Sequence, residues 1–200
     1  MTTTTPKLNH PPHPLRFTVQ DYHRLRELGF LGEDDHIELI RGELIQMAAK
    51  GTAHEACVRR LLRQLPLLLQ NRATLQCQAP LSLAFDGEPE PDFAIVQNRP
   101  DDYATQHPTP ADVLLIIEVA DWSLDYDREV KLPLYAEAKI SHYWLFNLRD
   151  SYLESYSEPD QITLGKFGYL NRKIIPKTGT VALPPFPEQT LELSSIFPDV

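Results

Sequence analysis

Apolar positions along the chain change their rhythm several times, and each change marks an element. From Phe17 the stretch FTVQDYHRLRELGF sets Tyr22, Leu25 and Leu28 three residues apart, the spacing of one helix face. Thr18 stands where an N-cap belongs and Gly29 just past the end. HIELIRGELIQMAA then places Ile37, Leu39, Leu44 and Ile45 around a central Arg41-Gly42, which predicts a β-hairpin turning there. GTAHEACVRRLLRQLPLLLQN returns to near-helical spacing through Ala53, Ala56, Cys57, Leu61, Leu65 and Leu68. Pro66 is expected to kink or divide that helix, because proline has no amide proton to donate.

Three strand candidates follow: ATLQCQAPLSLAF, PDFAIVQ and ADVLLIIEVA. The last is apolar with little alternation, as in a strand covered on both faces. DYDREVKLPLYAEAKI reads as helix and SHYWLFNL as a further strand. Pro133 is comfortable only in a first helical turn, which argues for a later start to that helix. YLESYSE, QITLGKFGYL and GTVAL look like shorter antiparallel strands. The succession is an α/β arrangement around a central mixed sheet, with no internal repeat.

Bulk composition narrows the picture. Two hundred residues, 42% of them hydrophobic, suit one domain over 16–200 that needs no disulfide or metal staple. Residues 1–15, rich in proline and polar side chains, read as a disordered tail. Cys57 and Cys77 form no CxxC pair and are expected to be buried thiols. A formal net charge of −9 weighs against a protein that coats nucleic acid, though carboxylates gathered to hold cations would themselves add negative charge. The chain shows no membrane-length apolar run and no signal-peptide pattern, so a cytoplasmic location without membrane contact is expected.

Two carboxylates stand out against this background. EPEPDFAIV, residues 88–96, carries Asp92 to the edge of an interior strand, and LLIIEVAD interrupts another with Glu118. Burying an unpaired carboxylate costs several kcal/mol, so Glu118 must be protonated, paired or metal-bound. Lys131, on the following helix, could point back toward it. Two strand-edge acids and one lysine suffice for phosphodiester hydrolysis around magnesium, which takes oxygen ligands and leaves positions for water and phosphate. A plainer reading also fits: Asp92 as an ordinary strand-start acid, and Glu118 with Lys131 as a buried salt bridge. Other chemistries lack their signatures. There is no GxGxxG, no GxSxG, and HEACV holds only half of a zinc-hydrolase motif, so no organic cofactor is expected.

The order GELI after an acidic strand, PD, an apolar EV, D-x-x-x-K with tyrosine four residues later, and YWL resembles the restriction-endonuclease-like family within the PD-(D/E)XK nuclease superfamily, from about Phe17 to Phe197. The resemblance implies an αβββαβ core with a central mixed sheet flanked by helices and extra C-terminal strands. It implies an active site of Asp92, Glu118 and a lysine. The standard motif puts that lysine two residues after Glu118, where Ala120 stands; the resemblance moves it to Lys131. Glu38 in IELIRGEL matches the family's upstream acid, as a catalytic residue and as a metal ligand beside Asp92 and Glu118. Mg²⁺ or Mn²⁺ is the implied cofactor. His54 matches a histidine common in the family, with no role attached, and Tyr135 reads as a packing aromatic within reach of the site. The expected function is a metal-dependent endonuclease acting on DNA as a homodimer, whose twofold axis suits two antiparallel strands. The alternative is a catalytically inactive nuclease-fold module that binds protein or nucleic acid.

Overall fold

The computed structural model describes residues 13–84 and 86–198, so most of the tail expected over residues 1–15 lies outside it. Helix α1 (Val19–Glu27) begins where Thr18 and Asp21 close a capping box, each side chain bonded to the other's backbone amide. It ends at Gly29, whose φ of +75° supplies the left-handed exit. The predicted hairpin follows as β1 (Ile37–Ile40) and β2 (Glu43–Gln46), with Leu39 opposite Leu44. Arg41 and Gly42 both take positive φ, 51° and 75°, as a two-residue type I′ turn requires. A side chain at position 42 would also meet Arg16 Cβ at 2.6 Å.

Helix α2 (Thr52–Leu69) runs unbroken through Pro66, contrary to the expected division. Proline sits one turn from the end, where it forfeits a single bond, and Leu61, Leu65 and Leu69 hold that turn into the core. The next three strands are β3 (Thr74–Cys77), β4 (Phe93–Val96) and β5 (Val113–Ala120). The long candidate ATLQCQAPLSLAF is thus strand only over its first part. Gln78 turns left-handed with φ 50°, and Pro80 brings no ladder donor.

The following helix starts earlier than Pro133 suggested. It is built from α3 (Leu124–Tyr126), a π-helical turn (Asp127–Lys131) and α4 (Leu132–Glu137). Inside an α-helix the proline ring collides with the carbonyl four residues back. The wider π turn ahead of Pro133 displaces that carbonyl and lets the helix continue.

Strand β6 (His142–Asn147) then pairs parallel to β5. The stretches YLESYSE and QITLGKFGYL are not separate short strands. They belong to one long hairpin, β7 (Tyr152–Thr163) and β8 (Lys166–Pro176), turning at Leu164-Gly165. A small pair, β9 (Thr180–Leu183) and β10 (Phe186–Glu192), closes the chain. The main sheet has the order β3-β4-β5-β6-β7-β8, antiparallel except at β5-β6. The αβββαβ core is therefore present, with a mixed sheet at its centre.

Strand β5 is apolar throughout because both of its faces are covered. Leu115, Ile117 and Val119 pack with α2, β9 and β10. Ile116 and Ala120 pack with Leu134 and Tyr135 of α4. Alternation puts Glu118 on that second face. Cys57 is fully buried, its thiol pushed up to about 12 by burial. Cys77 is only half-buried, short of the expectation for it.

Candidate active site

The β4-β5 register sets the first two acids face to face. Phe93 pairs with Ile117, so one step outward Asp92 meets Glu118. Each carboxylate is then fixed by backbone. The Asp92 amide donates to Glu118 Oε2 at 3.1 Å, and the Val119 amide donates to Asp92 Oδ2 at 3.0 Å. From the π-helical turn, Lys131 Nζ donates to Glu118 Oε1 at 3.0 Å and to Glu38 Oε1 of β1 at 3.2 Å. Asp92, Glu118, Lys131 and Glu38 thus converge, each between 2% and 5% exposed.

A second ring of side chains supports them. Tyr135 donates its hydroxyl to Glu118 Oε1 at 2.9 Å and rests its ring against Tyr143, so it both packs and reaches into the site. His54, in the first turn of α2, donates Nε2 to Asp92 Oδ2 at 2.9 Å, since an ionised carboxylate can only accept. Lys50 Nζ and Gln78 Nε2 approach the other oxygen, Oδ1, at 3.6 and 3.2 Å. Lys50 and Gln78 lie in loops, where no periodicity pointed to them. Asp127 does carry a signal, because it precedes Lys131 by four residues within D-x-x-x-K. It is buried and accepts from Ser123 Oγ at 2.6 Å.

Burial and charge pull these groups apart. Burial would raise the Asp92 carboxyl, but the His54 hydrogen bond and charge, with Lys50 and the Val119 amide, hold it below its ordinary value. Burial raises Glu38 and Glu118, against the opposing pull of Lys131. Asp127 is pushed up to about 7 by burial and by the neighbouring Glu118. Burial disfavours the Lys131 ammonium, yet Glu118, Glu38 and Asp127 outweigh it and keep the amine charged well above its usual range.

These residues open on a cleft of about 550 Å³. Its walls carry seven carboxylates, including Glu55, Glu90 and Asp121, against the lysines Lys50 and Lys131. A separate hollow of about 450 Å³ beside His23 and Glu88 shares no wall with it. Among the described residues no helix is long and apolar enough to cross a membrane.

The arrangement can be set beside known proteins. The Uma2 family model, described as "putative restriction endonuclease", matches residues 19–194. The chain belongs to the Uma2 family. Among curated proteins none matches the sequence. The fold is similar to that of a crystal structure from Anabaena variabilis ATCC 29413, described as a putative nuclease belonging to DUF820. The two share a TM-score of 0.70 over 90% of this chain and 97% of that one, at 13% sequence identity. At that identity the likeness is one of fold, and it agrees with the restriction-endonuclease-like core traced above.

Proposed function

We propose that this Uma2 chain is a metal-dependent endonuclease that hydrolyses DNA phosphodiester bonds, with residues 16–200 forming one nuclease domain. The observation that carries the reading is the convergence of three carboxylates and a charged lysine on one cleft. Within it, Glu38 Oε2 is buried without a hydrogen-bond partner. A buried acceptor left unpaired is unfavourable, and an incoming cation would satisfy it. Among the described residues no group of three or more His, Cys, Asp or Glu is drawn into a ready metal cage. Magnesium asks for less, one or two carboxylates completed by water and phosphate. The all-oxygen donor set of Asp92, Glu118 and Glu38 fits Mg²⁺ or Mn²⁺ on those terms.

When bound, a divalent ion there supplies an acidified water and screens the phosphate charge. The protein's own groups do the rest. The Asp92 and Glu118 carboxylates are held by backbone amides and do not have to be ordered on binding. Lys131, kept protonated, acts as a fixed positive charge that orients the nucleophile and faces the phosphate; it is not poised to take a proton. The test is cleavage of plasmid in Mg²⁺ or Mn²⁺, arrested by chelator and lost in Asp92→Asn, Glu118→Gln and Lys131→Met while the fold persists. Should wild type leave both plasmid and a single-stranded oligonucleotide intact in both ions, the proposal falls. A homodimer is proposed alongside, and sedimentation of the intact chain reads it directly.

The rival, an inactive nuclease-fold module, draws on the acidic cleft wall. With seven carboxyl groups against two lysines, and Asp127 pushed up to about 7, the wall carries an excess of at most five negative charges. One divalent ion offsets two of them; because an inactive module that binds nucleic acid would also retain DNA, metal-dependent cleavage, not binding, is the discriminating result.

A further inference from the structure

Trp122 is the least explained residue of the cleft. It lies two positions beyond the end of β5, on the same cleft wall as Asp92 and Glu118, with a relative exposure of 76%. Among the described residues its indole makes no ring contact and no hydrogen bond. That backbone is pinned. Arg149 Nη2 donates to the Trp122 carbonyl at 3.2 Å, and bonds from Leu148 to Ala120 and from Asp127 to Ser123 hold the residues on either side. A large apolar surface is thus presented to solvent on a fixed support beside the acids.

We propose that Trp122 is a stacking platform for an unpaired nucleobase, and that the cleft takes single-stranded DNA or a strand end lifted from its duplex. This rests on the nuclease reading of the cleft and names its substrate class. Three considerations lead there. An exposed indole face stacks on any base, and such stacking is sequence-tolerant because every base has a π-face. A base can use that face only after leaving its duplex, which is least costly where it is already unpaired. The wall also carries excess negative charge. Duplex DNA, with one charge per about 1.7 Å of axis, is repelled more strongly by that wall than a single strand is. Arg149, bonded to the Trp122 carbonyl, brings a guanidinium next to that residue.

The chain offers its own probe. It has two tryptophans; Trp144 is fully buried with Nε1 bonded to Ser155, so only Trp122 can report an arriving base. The intact protein, in calcium to retain charge screening, is titrated with a short oligothymidylate and with a matched duplex. Tryptophan emission and the anisotropy of labelled DNA are followed together. The expected result is quenching by the single strand, weaker binding of the duplex, and roughly tenfold weaker single-strand binding in Trp122→Ala. Trp122→Phe should restore most of the affinity, because a phenyl ring still stacks. Being exposed, both substitutions leave the melting temperature in place, and circular dichroism checks that. Binding without quenching, unchanged affinity in Trp122→Ala, or equal binding of both DNA forms overturns the stacking. If plasmid cleavage in Mg²⁺ persists in any of those cases, the nuclease reading survives alone. If neither DNA form binds and plasmid stays intact, both fall.

Discussion

Two buried carboxylate clusters lie on this sheet, and they are finished differently. Glu154 of β7 is fully buried, and both of its oxygens are taken. Arg128 donates to Oε1 through Nε and Nη2, while Arg172, at 2.8 Å, and the Tyr156 hydroxyl reach Oε2. Glu118 and Glu38 are buried almost as deeply but share one lysine; Glu118 completes its set with the Tyr135 hydroxyl and the Asp92 amide, while one oxygen of Glu38 has no partner. The first cluster is saturated by guanidinium groups, which stay charged at any working pH. The second is undersupplied and faces a cleft. A saturated buried charge holds a fold together, whereas an undersupplied one beside open space is prepared for a ligand.

Substitutions can break or sharpen this contrast. Lys131→Met removes a fixed positive charge and should lower plasmid nicking about a hundredfold or more, while Glu154→Gln keeps most of the rate. Equal losses in the two variants, read from initial rates, would erase the distinction. Stability should show the reverse. Glu154→Ala removes the shared acceptor of Arg128, Arg172 and Tyr156 and should cost up to about 3 kcal/mol in urea unfolding, whereas the triple change Glu38→Gln, Glu118→Gln and Lys131→Met removes all three buried charges together and should be close to neutral. Next in size is metal. Magnesium at about a hundred times its dissociation constant stabilises by about 2.7 kcal/mol, seen as a higher melting temperature in wild type and in Glu154→Ala but not in Asp92→Asn.

The pH response of Asp127 gives a further handle, with Lys131 already offsetting part of the burial penalty. Its folded value near 7 lies above the ordinary 3.8, so between those values the folded state holds a proton the unfolded chain has released. The stability this contributes is complete below about pH 4 and is lost as pH rises through about 7. In chelator, the melting temperature of wild type should therefore fall relative to Asp127→Asn from pH 5 to 8. A parallel pair of curves would refute it.

Much of this was readable from residues because it follows short-range rules. Thr18 as a cap and the Arg41-Gly42 turn are local geometry written in adjacent letters, whereas the meeting of Asp92 with Glu118, 26 residues apart, was implied by the family resemblance. The lysine's direction followed from helix after strand. What stayed hidden depends on partners far along the chain. Glu154 sits in YLESYSE as one more polar position of an alternating strand, and its guanidinium partners lie 26 residues before it and 18 after. The π-helical turn was announced by Pro133 only as an anomaly. Pro66 misled because the burial of Leu65 and Leu69 outweighed one missing bond. Lys50 and Gln78 reach Asp92 from loops, whose paths no hydrophobic rhythm records.

The reciprocal bonds between Asp92 and Glu118 carry one more consequence. Where β4 and β5 part company, the closing rung of their ladder is made by side chains in place of peptide groups. These two acids are joinery as well as candidate chemistry, and a chain of this fold without any cutting activity would still use them to keep its strands shut. Lys131 serves no such rung. In a related chain it is the lysine, more than the acidic pair, whose presence speaks for a working enzyme.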